Sequence, residues 1–209
     1  MALNAGYTYR VTLDASDEGR PLAEVLAARY PHSSSATWRL RLAGGEIAVD
    51  GAAVDDAAVA RRGQRLEWRR PPWDEPDVPL AFDVLHEDAD VVAVAKPAGL
   101  PTMPAGGFLA HTLLALARAR FGWVAPLHRL GRHTSGVVVF ARHGDAAAAL
   151  GAAWRAHRVT KVYRALVGGA PPWDTCRVET PIGPVPHATL GTVFAASPTG
   201  RPSRSEVTV

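Results

Sequence analysis

The stretch PLHRLGRHTSGVVVFARH, Pro126 to His143, concentrates the chemistry of this chain. His128, Arg129, Arg132 and His133 crowd against Thr134 and Ser135 just before an apolar run. Guanidinium groups hold phosphates through forked, charge-assisted hydrogen bonds, and hydroxyls donate to phosphate or sugar oxygens. A cationic, hydroxyl-bearing loop that feeds a strand therefore suits an anionic partner. A structural loop with a capping Thr-Ser pair has the same composition, and residue types alone leave both readings open. At the loop's centre stands Gly131, which has no side chain.

Other reactive groups are sparser. Lys96, in AKPAGLP, follows an apolar strand and precedes a Pro-Gly turn. A nucleophilic amine is one reading there, and a charge solvated at a strand end is the plainer one. Tyr163 lies in KVYRALV, which reads as a strand, where a tyrosine ordinarily packs its ring and leaves its hydroxyl at the rim. His86, His111, His128, His133 and His157 show no metal-binding spacing, so no metal site is expected. Neither a GxGxxG nor a P-loop occurs, so no nucleotide cofactor is expected.

Composition narrows the class. The chain has 209 residues, 47% hydrophobic and 21% charged, with a net charge of +3. A real core can form, and the mild basic bias is compatible with nucleic acid. Apart from Lys96 and Lys161, every basic residue is arginine, the better residue for phosphate forks. The single cysteine, Cys176, excludes an intramolecular disulfide, and no disulfide-linked partner is expected. MALNAGYTYRVTLD lacks a basic start followed by an apolar run, and runs such as VVAVA are too short to span a bilayer. The expectation is a cytoplasmic protein without a membrane partner.

The positioning elements can be read in outline. GRPLAEVLAARY predicts a helix, with Pro21 in its first turn. SSSATWRLRLAGG predicts a second, capped by serine and stopped by Gly44-Gly45, with Trp38 and Leu42 on one face and Arg39 and Arg41 away from it. EIAVDGAAV predicts a strand and an Asp50-Gly51 turn, and RRGQRLEWRR another strand. Two helices and a hairpin with exposed arginines make an RNA-docking module. An ordinary solvated surface accounts for Arg39, Arg41, Arg61, Arg62 and Arg65 as well. Four prolines between Pro71 and Pro79 mark a linker, which gives an organisation of 1–70, linker 71–80 and 81–209. Beyond it the pattern is mixed: two strands in AFDVLHEDADVVAVAKPAGLP, the second suited to burial on both faces; a helix in HTLLALARARFG; a strand in SGVVVFA; an Ala-rich helix capped by Asp145; and strands in KVYRALVGG, CRVETPIG and SRSEVTV. The fold class is α+β.

LHRLGRHTSGVVVFAR resembles the HRLDxxTSGxxxxA signature of the RluA-type RNA pseudouridine synthases. LHEDADVVAVAKPAGLPTMPAGG resembles that family's strand and KPAG loop, KVYRALVGG its K-x-Y-x-A-L-V segment, and ETPIG the P-I-G that follows. The motifs stand in family order from about Phe82 to Val209, and residues 1–70 look like the small ribosomal-protein-type RNA-binding domain that often precedes them. The resemblance implies a largely antiparallel mixed sheet with flanking helices, tRNA or rRNA as partner, and no cofactor or metal. The family reaction isomerises uridine to pseudouridine: the glycosidic bond is cut, the base turns, and a carbon-carbon bond replaces it. The base is first flipped from its stack. Arg129 matches the arginine near the vacated base, and Tyr163 the tyrosine that packs on the flipped base and helps proton removal. Arg132, Thr134, Ser135, Lys161, Arg39 and Arg41 complete the expected RNA contacts.

Two departures accompany the match. The essential aspartate after HRL is Gly131 here, and loss of one central catalytic group commonly costs a factor of roughly 10⁴ to 10⁶ in rate. The family's later G-R-x-H-Q-I-R-like segment is missing after SRSEVTV, so the catalytic domain is expected to be C-terminally incomplete, with exposed sheet edge and apolar surface. A subgroup with plant and bacterial members carries HRLGRGTSG beside a PPWxEP-like linker, and this chain has both marks. Two readings follow: an RNA-binding protein on a synthase scaffold, or an active synthase with a carboxylate from elsewhere.

Overall fold

The structure is a computed structural model that describes residues 3–188 and 191–209. It divides into two compact units, residues 1–159 and 160–209. In the first unit, β1 (Tyr7–Thr12), α1 (Leu22–Arg29), α2 (Ser35–Ala43), β2 (Ile47–Val49), β3 (Ala52–Ala53) and β4 (Arg65–Arg70) come first. Then follow β5 (Asp83–Glu87), β6 (Val91–Lys96), α3 (Leu113–Phe121), β7 (Ala125–Pro126), β8 (Gly136–Ala141) and α4 (Gly144–Arg155). These build two antiparallel sheets, ordered β1-β4-β2-β3 and β5-β6-β8-β7. The α+β class expected from the sequence is the class observed.

Local chemistry explains the first sheet. Ser34 Oγ accepts from the Thr37 amide and caps α2. Asp50 and Gly51 both have positive φ, as a two-residue hairpin turn between Val49 and Ala52 requires. Leu22, Val25 and Leu26 of α1 bury against Trp38, Leu42, Ile47, Leu66 and Trp68. Arg29 ties α1 to the preceding loop by pairing with Asp17 and Asp14. Two expectations change here. The edge strand β1 was not foreseen in YTYRVT; its Tyr9 pairs across to Trp68 and stacks on it at 4.9 Å. Arg41 does not lie away from the apolar face: its guanidinium sits over Trp38 and Trp68, because an aromatic ring attracts a cation over its face.

The second sheet packs Val92, Val94, Val138 and Phe140 against Leu113, Leu114 and Ala117 of α3. VVAVA is buried on one face only, since Val91, Ala93 and Ala95 alternate with buried Val92 and Val94. Asp145 is not the cap of α4. His143 Nδ1 accepts from the Ala146 amide, and Asp145 falls within the first turn, where its charge suits the helix N-terminus.

The proline-rich stretch is pinned rather than free. Glu75 is 1% exposed, and its carboxylate accepts from the amides of Leu109, Ala110 and His111 and from Asn4 Nδ2. Trp73 Nε1 donates to the Gly107 carbonyl at 2.7 Å. Burial alone would push the Glu75 carboxyl up; the three amides and Asn4 outweigh it and hold the pKa below the ordinary glutamate range.

The second unit holds two antiparallel ribbons, β9 (Thr175–Val178) with β12 (Ser205–Thr208), and β10 (Ile182–His187) with β11 (Gly191–Ala196). CRVETPIG therefore splits into two strands around Glu179–Pro181. The strand expected in KVYRALVGG does not form: residues 158–174 contain neither helix nor strand. A strand needs a ladder partner, and none of the described strands pairs with this segment, whose Val162 is 90% exposed. Among the described residues, no helix is long and apolar enough to cross a membrane.

Replacing Glu75 by Gln should destabilise the first unit by about 2–4 kcal/mol, since it removes the buried charge that three amides converge on. The lowered folded pKa makes this stabilisation full above the unfolded value of about 4.3, and it is lost as pH falls through the folded value. Urea unfolding of parent and Glu75→Gln should differ most near neutral pH and converge in acid.

Candidate RNA-binding loop and active site

The loop between β7 and β8 is set by contacts made one strand away. Lys96 ends β6 and is 1% exposed. Its Nζ donates to the carbonyls of Pro97 at 2.8 Å, Leu100 at 2.7 Å and Arg132 at 3.1 Å. Neither the nucleophile nor the solvated strand end expected from the sequence describes this amine, since three carbonyl oxygens occupy its three donors. Burial lowers its pKa. The Gly99 amide donates to the same Arg132 carbonyl at 2.8 Å. Thr102 Oγ1 donates to the Leu130 carbonyl and accepts from the Leu130 amide. The KPAG loop and the HRLG loop are thus one hydrogen-bonded body.

Gly131 opens a β-turn, with the Thr134 amide donating to the Gly131 carbonyl at 3.1 Å. Arg132 and His133 form its corners, and neither has positive φ, which fits a type I turn. Gly131 itself needs no left-handed backbone, and a Cβ there would meet only Thr134 Oγ1, at 3.4 Å. Aspartate, asparagine and serine are the residues favoured at this first turn position. The backbone does not require the glycine, and the turn leaves room for a Cβ.

Arg129, Gly131, Arg132, His133, Thr134 and Ser135 are all exposed on this loop. Arg129 forms no ion pair among the described residues. Arg132 is more engaged: its Nε donates to the Gly99 carbonyl at 3.1 Å, and its guanidinium lies 4.7 Å from the Phe108 ring centre. His128 is structural, because Nε2 accepts from the Val139 amide and the ring stacks on Trp154 at 4.7 Å. Two acids of the first unit, Asp145 and Glu75, do not stand at the turn where Gly131 lacks a carboxylate. Asp145 adjoins the opposite end of β8 beside Asp88, Asp90 and His143, and β8 separates the two ends by roughly 17 Å. Glu75 is committed to its three amides.

The remaining expected residues lie elsewhere. Arg39 and Arg41 are on α2, Arg39 exposed and Arg41 half-buried over its two indoles. Lys161 and Tyr163 belong to the second unit, both exposed on the stretch before β9. Cys176 is a free thiol on β9. Among the described residues, no group of three or more His, Cys, Asp or Glu side chains could hold a metal ion. The supporting roles of Lys96, Thr102, Phe108 and Glu75 were not read from the sequence. The lone lysine after an apolar strand was the only visible signal.

A family profile described as RNA pseudouridylate synthase matches residues 90–205, which span both the loop and the second unit. The chain belongs to the RNA pseudouridine synthase family. An uncharacterised RNA pseudouridine synthase of Synechocystis is 37% identical over 88% of this chain and 64% of its own length. RNA pseudouridine synthase 5 of Arabidopsis thaliana is 32% identical over 99% of this chain and 65% of its own length. This family member therefore spans less than two thirds of each of these relatives. The solved structure of human RNA pseudouridylate synthase domain containing 1 aligns at 23% identity and a TM-score of 0.48, over 64% of this chain and 53% of that one.

Two expected outcomes test the synthase loop as a folded object. Lys96→Met should cost about 2–4 kcal/mol, since it leaves three carbonyls without their shared donor. Gly131→Asp should change stability by less than about 1 kcal/mol, as the turn accepts the side chain. Both are measured by urea unfolding, and a large penalty for Gly131→Asp would contradict the open turn.

Proposed function

We propose that this chain binds RNA through the Arg129–Ser135 loop and that its turnover of uridine is slow or absent. The carrying observation is an exposed Arg129, without an ion pair among the described residues, close to a glycine at the turn position where the family signature has aspartate. Phosphate contacts and base stacking do not need that carboxylate, whereas the isomerisation does. In this reading Arg129 meets the backbone near the vacated base. Arg132, Thr134 and Ser135 hold neighbouring phosphate or sugar oxygens, and Tyr163 and Lys161 are the second unit's own candidate residues. Arg39 and Arg41 on α2 extend the contact. Transfer or ribosomal RNA is the partner class, and the single cysteine suits work in the cytoplasm.

The second reading keeps catalysis and takes a carboxylate from another part of the sheet. Asp83 is the strand carboxylate at the loop end of that sheet, in one row with Ala95 and Val137 and exposed. Two strand spacings, about 10 Å, separate it from β8, which disfavours direct participation without movement.

Pseudouridine mapping of cellular RNA with and without the gene separates the readings. The expected result is no site-specific loss. Site-specific loss restored by purified protein would establish turnover, and sensitivity of that turnover to Asp83→Asn would name its carboxylate. RNA affinity should fall steeply with salt, and Arg129→Ala should weaken it about tenfold. Salt-independent or absent binding would remove the RNA reading altogether.

A further inference from the structure

An arginine of α2 and one at the end of β4 share one indole. The Arg41 guanidinium lies 4.4 Å from the Trp38 ring centre and 4.7 Å from that of Trp68. The Arg70 guanidinium lies 3.4 Å over Trp73 and 5.9 Å from Trp68. Neither forms an ion pair among the described residues; Arg41 donates to Ser33 Oγ at 3.1 Å. Arginines elsewhere in the chain do find carboxylates, as Arg10 does with Glu67 and Arg142 with Glu87. Glu67 is close in sequence but alternates onto the other face of β4, away from Trp68 and Arg70.

The pair is held together against its own repulsion. Burial, chiefly, and then the charge of Arg70 lower the Arg41 pKa, while Glu46 opposes them. The Glu46 carboxylate is already engaged by Trp68 Nε1 at 2.9 Å. Two half-buried guanidiniums, oriented by aromatic rings, without an ion pair among the described residues and only partly offset by Glu46, make a positive site that an anion can complete. Arg70 is also next to the segment that anchors the Gly107 loop, since Trp73 carries both the stack and the hydrogen bond to Gly107. An anion bound here lies along the seam between the first sheet and the loop that presents Phe108 to Arg132.

We infer that Arg41 and Arg70 form a preformed clamp for one backbone phosphate of RNA, with Ser33 at its rim. This inference rests on the RNA-binding reading above and adds Arg70, Trp73 and Ser33 to it. RNA, rather than a free anion, is the occupant favoured, because the clamp stands on the same compact unit as the exposed Arg129 loop and repeats its charge.

The test measures anisotropy of a fluorescein-labelled tRNA pool against the full chain across a salt series. Arg70→Gln is the primary variant because Arg70 is at the end of a strand and outside the core. It should weaken binding about fivefold and lower the log–log salt slope by about 1. Arg70→Lys keeps the charge but not the flat stack, so it should keep the slope and recover only part of the affinity. Arg41→Gln should act in the same direction, with thermal melts establishing that the variants are folded. If the parent binds RNA and Arg70→Gln keeps both affinity and slope, the clamp is wrong while the Arg129 loop stands. If inorganic phosphate binds the parent and not the variant, yet RNA binding is unaltered, the pair serves a small anion and the RNA clamp is overturned. No salt-dependent binding by the parent removes both proposals.

Discussion

The Lys96 ammonium is the contact on which the rest of the site depends. It closes three carbonyls at once, two from its own loop and one from Arg132 across the sheet. A buried cation with no carboxylate beside it is costly unless its donors are satisfied, and here every donor has a partner. The arrangement fixes the backbone that carries Arg129 through Ser135 without using any exposed side chain of that loop. Binding groups can therefore face solvent while the loop's geometry is decided in the interior. The Thr102 pair of bonds to Leu130 repeats the device two residues earlier.

Glu75 does for the first unit what Lys96 does for the loop. One carboxylate gathers the amides that lead into α3 and, through Asn4, the N-terminal strand region. Trp73 fastens Gly107 beside it, and Phe108 then meets Arg132. A chain of direct contacts thus runs from the proline-rich stretch to the signature loop. Prolines 71, 72, 76 and 79 lower the freedom of the unfolded segment, so that fixing it costs less entropy than a glycine-rich tether would.

Periodicity and turn chemistry made much of the fold legible. The helices over Leu22–Arg29, Ser35–Ala43, Leu113–Phe121 and Gly144–Arg155 follow their apolar spacing and stop signals. Asp50-Gly51 announced its hairpin because few residues accept two positive φ values in succession. The misses have physical causes. KVYRALVGG has strand composition, but a strand exists only where a partner supplies its hydrogen bonds. YTYRVT gave too short an alternation to stand out. The distinction between Arg39 and Arg41 lies in a tertiary contact with Trp68, a residue far along the chain. Lys96 and Glu75 were invisible as anchors for the same reason: apart from Asn4, their partners are backbone atoms, which carry no residue-specific signal.

The loop itself separates two properties that the family signature combines. Its scaffold is specified by Lys96, Thr102 and the turn closed by Thr134, and none of these contacts involves the side chain at position 131. Type I geometry admits an aspartate there as readily as a glycine. The glycine therefore leaves the turn's closing hydrogen bond in place and puts no acid at its first position. An aspartate there, beside Arg129 and Arg132, would partly neutralise the positive field of the loop. With arginines and hydroxyls exposed and glycine at its first turn position, the loop presents a positive face whose shape is decided by buried contacts rather than by its own side chains.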